Sequence, residues 1–153
     1  WACHTNDAAP MVHEVVDTDE AIRVAYEFYK KHPKETLILI TADHETGGLA
    51  LGNGGYNLDL RLLAAQTMSS YNYTARDKGA ESLYASECGL AATAKRILAK
   101  HAHVAWTTGG HTDGYVPVFA IGAGAEQFRG RIDNTEIPKI VARLAGYKLP
   151  AGL

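Results

Sequence analysis

The chain has 153 residues, which is enough for one domain with a hydrophobic core. Its composition, 46% hydrophobic and 21% charged, is that of an ordinary globular protein. The formal net charge of −2, without a basic cluster, argues against a nucleic-acid surface. No apolar stretch approaches the roughly 20 residues that a membrane span needs. We therefore expect neither nucleic acid nor a membrane as a partner.

The first element in chain order is a predicted long helix. Asn6 or Asp7 can cap its start, because a side-chain oxygen there accepts hydrogen bonds from unpaired N–H groups of the first turn. From this point to Lys31, apolar residues recur close to a helical period. Pro33 ends the helix, since proline has no backbone N–H to continue it.

A short apolar run, 36–41, ends at an acid and an imidazole. The run predicts a buried strand, and the sequence Asp-His-Glu-Thr-Gly-Gly follows it at 43–48. Carboxylate oxygen and imidazole nitrogen are ligands that zinc accepts. Neighbours on an extended strand point to opposite faces, so Asp43 and His44 can share a metal only if the chain turns. The two glycines indicate such a turn.

The middle of the chain predicts two helices, over 57–70 and 81–101, after a short strand at 49–51. Asn57 is expected to cap the first of these helices. The 57–101 block carries no cluster of potential ligands. We interpret it as a helical insert that covers one side of a sheet or roofs a site.

A second polar segment follows a predicted strand at 104–107. Its sequence, Thr-Gly-Gly-His-Thr-Asp-Gly at 108–114, repeats the pattern of an apolar run, a glycine pair and a histidine. Another strand is predicted over 116–121. Asn134 is expected to cap a last helix that ends before Gly146. Its predicted buried stripe consists of Ile137, Ile140, Val141 and Leu144.

Helices alternate with strands, which predicts an α/β fold: part of a mainly parallel sheet flanked by helices. Four potential metal ligands lie where predicted elements begin or end: His4, Asp43, His44 and His111. Scattered ligands at loop positions suit a catalytic metal site, because structural zinc usually takes closely spaced Cys pairs and no such pair occurs. A non-catalytic structural or binding domain with vestigial ligands remains the alternative.

These segments resemble the alkaline phosphatases. Residues 41–48 are similar to a zinc-ligand motif of that family, and 109–112, followed by Val-Pro-Val-Phe, resemble its last zinc-ligand segment. Residues 3–9 resemble the segment that carries an Asp and, four residues on, a His. Residues 133–137 match the start of the family's C-terminal helix. The least typical part is 52–103, where the family varies by insertion.

The resemblance implies hydrolysis of phosphate monoesters through a phosphoserine intermediate, with two zinc ions and one magnesium ion. Asp43 and His44 would bind the zinc that activates the nucleophile. His4 and His111 would bind the other zinc, which holds a phosphate oxygen. The ligand would be a phosphate monoester or inorganic phosphate, and the two metals would clamp an in-line phosphoryl transfer.

The resemblance also implies that parts of the catalytic site lie upstream of this chain. The Asp ligand that precedes the His4-type ligand by four positions would fall just before Trp1. The nucleophilic serine, a phosphate-binding arginine and most magnesium ligands lie further upstream in the family. We therefore expect 1–153 to be the C-terminal part of the catalytic domain, with 56–103 as its insert. No catalytic residue is assigned within it, and the isolated chain is expected to be inactive.

The family is usually homodimeric and periplasmic or secreted, and the same is expected of the parent protein. An unpaired sheet edge would also favour self-association of this chain. A relative in the same superfamily that acts on phosphodiesters, sulfate esters or phosphoglycerate is the other enzyme alternative. The Glu-Thr-Gly-Gly sequence at 45–48 argues against it.

Overall fold

The computed structural model describes residues 1–66, 69 and 98–150. Among these residues, no helix is long and apolar enough to cross a membrane. Of the helix predicted at 57–70, residues 57–66 and 69 are described, and only Leu60–Ala64 are α-helical. Of the helix predicted at 81–101, residues 81–97 lie outside the described residues. The described elements, in chain order, are α1 (Ala8–Lys31), β1 (Leu37–Ile40), β2 (Leu49–Leu51), α2 (Leu60–Ala64), a π-helical turn (Leu98–Ala102), β3 (Val104–Trp106), β4 (Phe119–Gly122), a 3-10 turn (Ala125–Phe128) and α3 (Glu136–Leu144).

The contacts divide the chain into two compact units. The first consists of residues 1–19 and 45–114, and the second of 20–44 and 115–153. Helix α1 contributes its N-terminal part to the first unit and its C-terminal part to the second. The assignment of 1–153 to one catalytic domain with an insert stays a prediction.

The first unit is built on the antiparallel pair β2–β3, in which Leu49 pairs with Trp106 and Leu51 with Val104. Its buried cluster joins the start of α1 to the strand pair, and consists of Ala8, Ala102 and Val104. Backbone hydrogen bonding between the two chain segments continues beyond the ends of the strands: Thr108 N donates to the Gly47 carbonyl at 3.1 Å. Residues 46–48 and 107–112 of the first unit therefore run side by side at the end of this pair.

The second unit is built on the antiparallel pair β1–β4, with Leu37 opposite Gly122 and Ile40 opposite Phe119. Ile38 of β1 is buried, as is Phe128 of the 3-10 turn. The pair is closed by a hydrogen bond from Ala123 N to the Thr36 carbonyl at 2.9 Å. This unit therefore fixes the strand whose end leads into Asp43.

Helix α3 ends as its sequence predicts. Gly146 has φ +75, and the N–H groups of Gly146 and Tyr147 donate to the carbonyls of Arg143 and Ala142, the bonding pattern of a Schellman motif. Of the predicted stripe only Ile140 is buried, while Val141 and Leu144 keep 38% and 36% of their surface exposed.

The predicted α/β class is confirmed, and the structure refines several details. Both strand pairs formed by the described residues are antiparallel, so the expected parallel pairing is not among them. Sequence order suggests strand direction only for strands that neighbour each other, and β1 pairs with β4 rather than with the next strand along the chain.

Two predicted helix caps were wrong. Asp59 rather than Asn57 caps α2, where its carboxylate accepts a hydrogen bond from Arg61 N at 3.1 Å. Thr135 rather than Asn134 holds the cap position of α3. Neighbouring polar residues have similar capping ability, so only the turn geometry chooses between them.

The β1–β4 pair gives a test of stability. Gly122 has φ +104, and a Cβ added there would meet the Thr36 carbonyl oxygen. Gly130 has φ +80 with nothing near its Cβ position. We expect Gly130→Ala to cost about 1–2 kcal/mol for the left-handed backbone alone. Gly122→Ala should cost about 1–3 kcal/mol more, because overpacking adds to the backbone term.

Chemical denaturation of the two variants beside the wild-type chain checks this expectation. Equal destabilisation by the two substitutions would show that the close approach at Thr36 does not limit the strand pairing.

Candidate metal centre

His4 and His111 come from distant parts of the sequence and are neighbours in the first unit. Their ring centroids lie 4.9 Å apart, with the ring planes at 87°. Each offers a ring nitrogen within 4.8 Å of the other. Both side chains are exposed, so a metal ion could reach them without opening a core. Two predicted ligands are thus brought together by the fold.

Asp43 and His44 follow β1, where the chain bends. They are the last two residues of the 20–44 segment of the second unit. The carboxylate Oδ2 of Asp43 lies 3.5 Å from Nε2 of His44, and Oδ1 accepts a hydrogen bond from the His44 N–H at 3.1 Å. Asp43 is 88% exposed. The two side chains therefore lie on the same side of the chain, as a turn between adjacent ligands requires.

Glu45 holds the loop that begins directly after His44. Its carboxylate accepts hydrogen bonds from the Gly48 N–H, at 3.1 Å, and from the Thr112 hydroxyl. The hydrogen bond from Thr112, and then the one from Gly48, lower the pKa of Glu45 below its ordinary value. The carboxylate is therefore an anchor between two loops, one of which carries His111.

Asn6 lies beside the proposed ligand segments and makes contacts that its sequence position does not signal. The sequence predicts only a helix cap there, yet Asn6 is 2% exposed and its side chain bonds to two other segments. Its carbonyl accepts from the Gly47 N–H at 3.0 Å, and its amide donates to the carbonyls of Thr108 and Gly110, each at 3.4 Å. The only local signal is that asparagine tolerates a positive φ, which is +55 here.

The loops approach each other so closely that one position must be glycine. A Cβ on Gly47 would lie 2.6 Å from the Thr108 carbonyl oxygen and 2.8 Å from Cγ of Asn6. Both distances are shorter than van der Waals contact allows, so an added Cβ would clash with these atoms. Gly47, the first glycine of the motif, is therefore needed for packing between the loops.

Glu14 of α1 holds the turn that carries His4. Its carboxylate accepts hydrogen bonds from the N–H groups of Ala2, at 2.8 Å, and Cys3, at 3.2 Å, and from the amino group of Trp1. The bond from Ala2, and then that from the Trp1 amino group, lower the pKa of Glu14 to about 2. Burial, with a further contribution from Glu14, raises the pKa of the free Cys3 thiol, which disfavours the thiolate that metals bind.

The comparisons with known proteins identify the family of this chain. The family model described as "Alkaline phosphatase" matches residues 1–147. Alkaline phosphatase 3 of Bacillus subtilis is 34% identical, over 97% of this chain and 38% of the relative. Alkaline phosphatase 4 of the same organism is 32% identical, over 94% of this chain and 37% of the relative. The chain belongs to the alkaline phosphatase family, as its motifs indicated.

Solved structures show the same likeness. A cold-active alkaline phosphatase from a psychrophilic Shewanella matches with a TM-score of 0.73 and 31% identity, over 94% of this chain and 42% of that one. A variant of TAB5 alkaline phosphatase, with Mg bound in its M3 site, matches with a TM-score of 0.61 and 28% identity, over 97% and 34%. The chain spans about two fifths of the length of the relatives it matches.

The bonds to Glu14 predict a pH-dependent contribution to stability. Because the folded pKa, about 2, is lower than the ordinary value of 4.5, the ionised carboxylate stabilises the fold. Its contribution should be complete above pH 4.5 and lost as the pH falls towards 2. The difference in thermal midpoint between wild type and Glu14→Gln should therefore be constant near neutrality and shrink across that interval.

Glu20→Gln provides the matched control, because it removes one carboxylate from the same helix and breaks only an exposed ion pair with Arg23. A pH profile of Glu14→Gln that parallels that of Glu20→Gln would contradict the anchoring role of Glu14.

Proposed function

We propose that this chain carries zinc ligands of an enzyme that hydrolyses phosphate monoesters. The observation that carries the proposal is the pair of imidazoles, His4 and His111, with ring nitrogens within 4.8 Å of each other. Each histidine lies in a segment that resembles a zinc-ligand segment of the family to which the chain belongs. The phosphatase names of the relatives support the same reaction class.

The donor set fits zinc. Imidazole nitrogen and carboxylate oxygen are its ordinary ligands in catalytic sites. We assign Asp43 and His44 to one ion, and His4 and His111 to the other. Zinc is usually four-coordinate, so each pair supplies about half of a coordination sphere. The remaining ligands would come from other parts of the protein, from water or from substrate.

Two bound zinc ions would stabilise the attacking and leaving oxygens of a phosphoryl group. The residues of this chain would hold those ions and keep their loops in place. Each histidine has to be neutral to offer its nitrogen, so acid competes with the metal for the ligand. Glu45 and Thr112 would restrict the movement of the segments next to His44 and His111.

Other parts of the catalytic apparatus are proposed to lie outside these residues. The family's nucleophilic serine is expected upstream, so the 153-residue chain would bind metal without turning over substrate. By analogy with the TAB5 enzyme variant, which has Mg bound in its M3 site, a magnesium ion would complete the parent enzyme. A homodimeric, periplasmic or secreted parent protein is part of the same proposal.

Zinc retention tests the ligand assignment. After equilibration with zinc and exhaustive dialysis, we expect the wild-type chain to retain more zinc than His44→Ala or His111→Ala, because each variant loses one of two ligands. His13→Ala, at an exposed position of α1, is the matched control and should retain as much as wild type. Metal analysis by mass spectrometry gives the result, and equal zinc in all four proteins would refute the assignment.

Hydrolysis of 4-nitrophenyl phosphate tests the reaction. The 153-residue chain, supplied with zinc and magnesium, should show no turnover, because the serine nucleophile is assigned elsewhere. The full-length protein should be active, and His111→Ala should reduce its kcat by at least about tenfold, as expected for a lost metal ligand. Turnover by the 153-residue chain, or an inactive full-length protein loaded with metal, would contradict the proposal.

A further inference from the structure

The contacts of Asn6 lead from one proposed zinc ligand to the other. Asn6 follows His4 by two residues, in a turn closed by hydrogen bonds from Asn6 N to the Cys3 carbonyl and from Asp7 N to the Ala2 carbonyl, both 3.0 Å. Its side-chain amide donates to the carbonyl of Gly110, the residue directly before His111. A short path of bonds thus joins the two histidines through one side chain.

We propose that Asn6 is a positioning residue that fixes His4 and His111 relative to each other. The proposal rests on the function proposed above, in which these histidines bind one zinc ion. Asn6 would not touch the metal. It would set the separation of the two imidazoles by joining the turn that carries His4 to the loop that carries His111.

The chemistry of Asn6 suits this role better than that of any other residue type. A buried polar side chain has to be hydrogen-bonded, and Asn6 uses both its acceptor and its donor on backbone groups. Its φ of +55 is a conformation that asparagine tolerates and most residues do not. Asn therefore combines three requirements: a left-handed backbone, an acceptor for Gly47 N–H and a donor for two carbonyls.

The bonding partners distinguish positioning from ordinary core packing. The buried apolar cluster of the first unit consists of Ala8, Ala102 and Val104, and none of the described hydrogen bonds of the Asn6 side chain goes to these residues. The described bonds of the Asn6 side chain go instead to Gly47, Thr108 and Gly110, in the two loops that the ligand motifs form. Loss of the side chain should therefore loosen the ligand loops more than the core.

Two substitutions separate the bonds. Asn6→Gly permits the same φ and removes all three bonds without backbone strain. Asn6→Asp keeps an acceptor for Gly47 N–H, but places an oxygen against the carbonyls of Thr108 and Gly110. Asn57→Gly is the matched control, because Asn57 is an exposed asparagine of the same unit. Circular dichroism establishes that each variant is folded before it is compared.

Two measurements on the metal-free chain test the positioning directly. In wild type and in Asn57→Gly, nuclear Overhauser contacts should connect the imidazole rings of His4 and His111, and the Gly47 amide should exchange slowly. In Asn6→Gly the ring contacts should disappear and Gly47 should exchange at least about tenfold faster, as its buried bond is lost. In Asn6→Asp the ring contacts should weaken while Gly47 stays protected.

Zinc affinity, measured by calorimetric titration with zinc chloride, gives the third readout. Asn6→Gly should weaken binding by about tenfold to a hundredfold, the usual effect of losing a residue that orients a metal ligand. In a His4→Ala background the same substitution should have a much smaller effect, because there is no pair left to position. Equal fold-losses in the two backgrounds would overturn positioning in favour of a general structural role.

The contacts between the His4 and His111 rings are measured without metal, so they test the role of Asn6 independently of zinc binding. If wild type binds no zinc, the zinc assignment fails, and the metal-free measurements still decide the role of Asn6. If zinc binds and the imidazole contacts persist in Asn6→Gly, the positioning role is wrong while the zinc assignment stands.

Discussion

The first unit depends on the close approach of two loop backbones at Gly47. The β2–β3 pairing does not end with the strands: Thr108 N and the Thr107 hydroxyl both donate to the Gly47 carbonyl, each at 3.1 Å. This contact leaves no room for a Cβ, and the space beside it is filled by the Asn6 amide. Strand pairing, a glycine and one buried asparagine together determine where the polar segments of the chain lie.

The acidic residues near these segments serve two different purposes. Glu14 and Glu45 both accept hydrogen bonds that lower their pKa: the bond from the Ala2 N–H is the main cause for Glu14, and the bond from the Thr112 hydroxyl, followed by that from the Gly48 N–H, is the main cause for Glu45. Glu14 thereby stabilises the turn that carries His4, and Glu45 stabilises the loop that carries His111. Asp43 differs, because it is 88% exposed and lies 3.5 Å from its neighbouring imidazole. A carboxylate at the surface beside a histidine is better placed to bind a cation than one committed to backbone groups.

The proposed ligands occur in pairs, and the family relationship is consistent with further ligands from other parts of a longer protein. The chain spans about two fifths of the relatives' length, yet matches the family model over residues 1–147. The two imidazoles converge within the first unit, and the Asp43–His44 pair ends a segment of the second. Each pair is fixed by local strand pairing and by turns, so the geometry of each can be tested in this chain.

The sequence by itself determined the features that depend on local patterns. Helical periodicity and Pro33 placed α1, an apolar run placed β1, and the polar motifs identified all four proposed ligands. Tertiary structure alone decided which strands pair, the antiparallel direction of both described pairs, and the hydrogen-bond partners of the Asn6 side chain. The physical reason is that periodicity and turn chemistry act between residues close in sequence. The bonds of Asn6 to Gly47 and Thr108 join residues far apart along the chain, so nothing beside Asn6 in the sequence signals them.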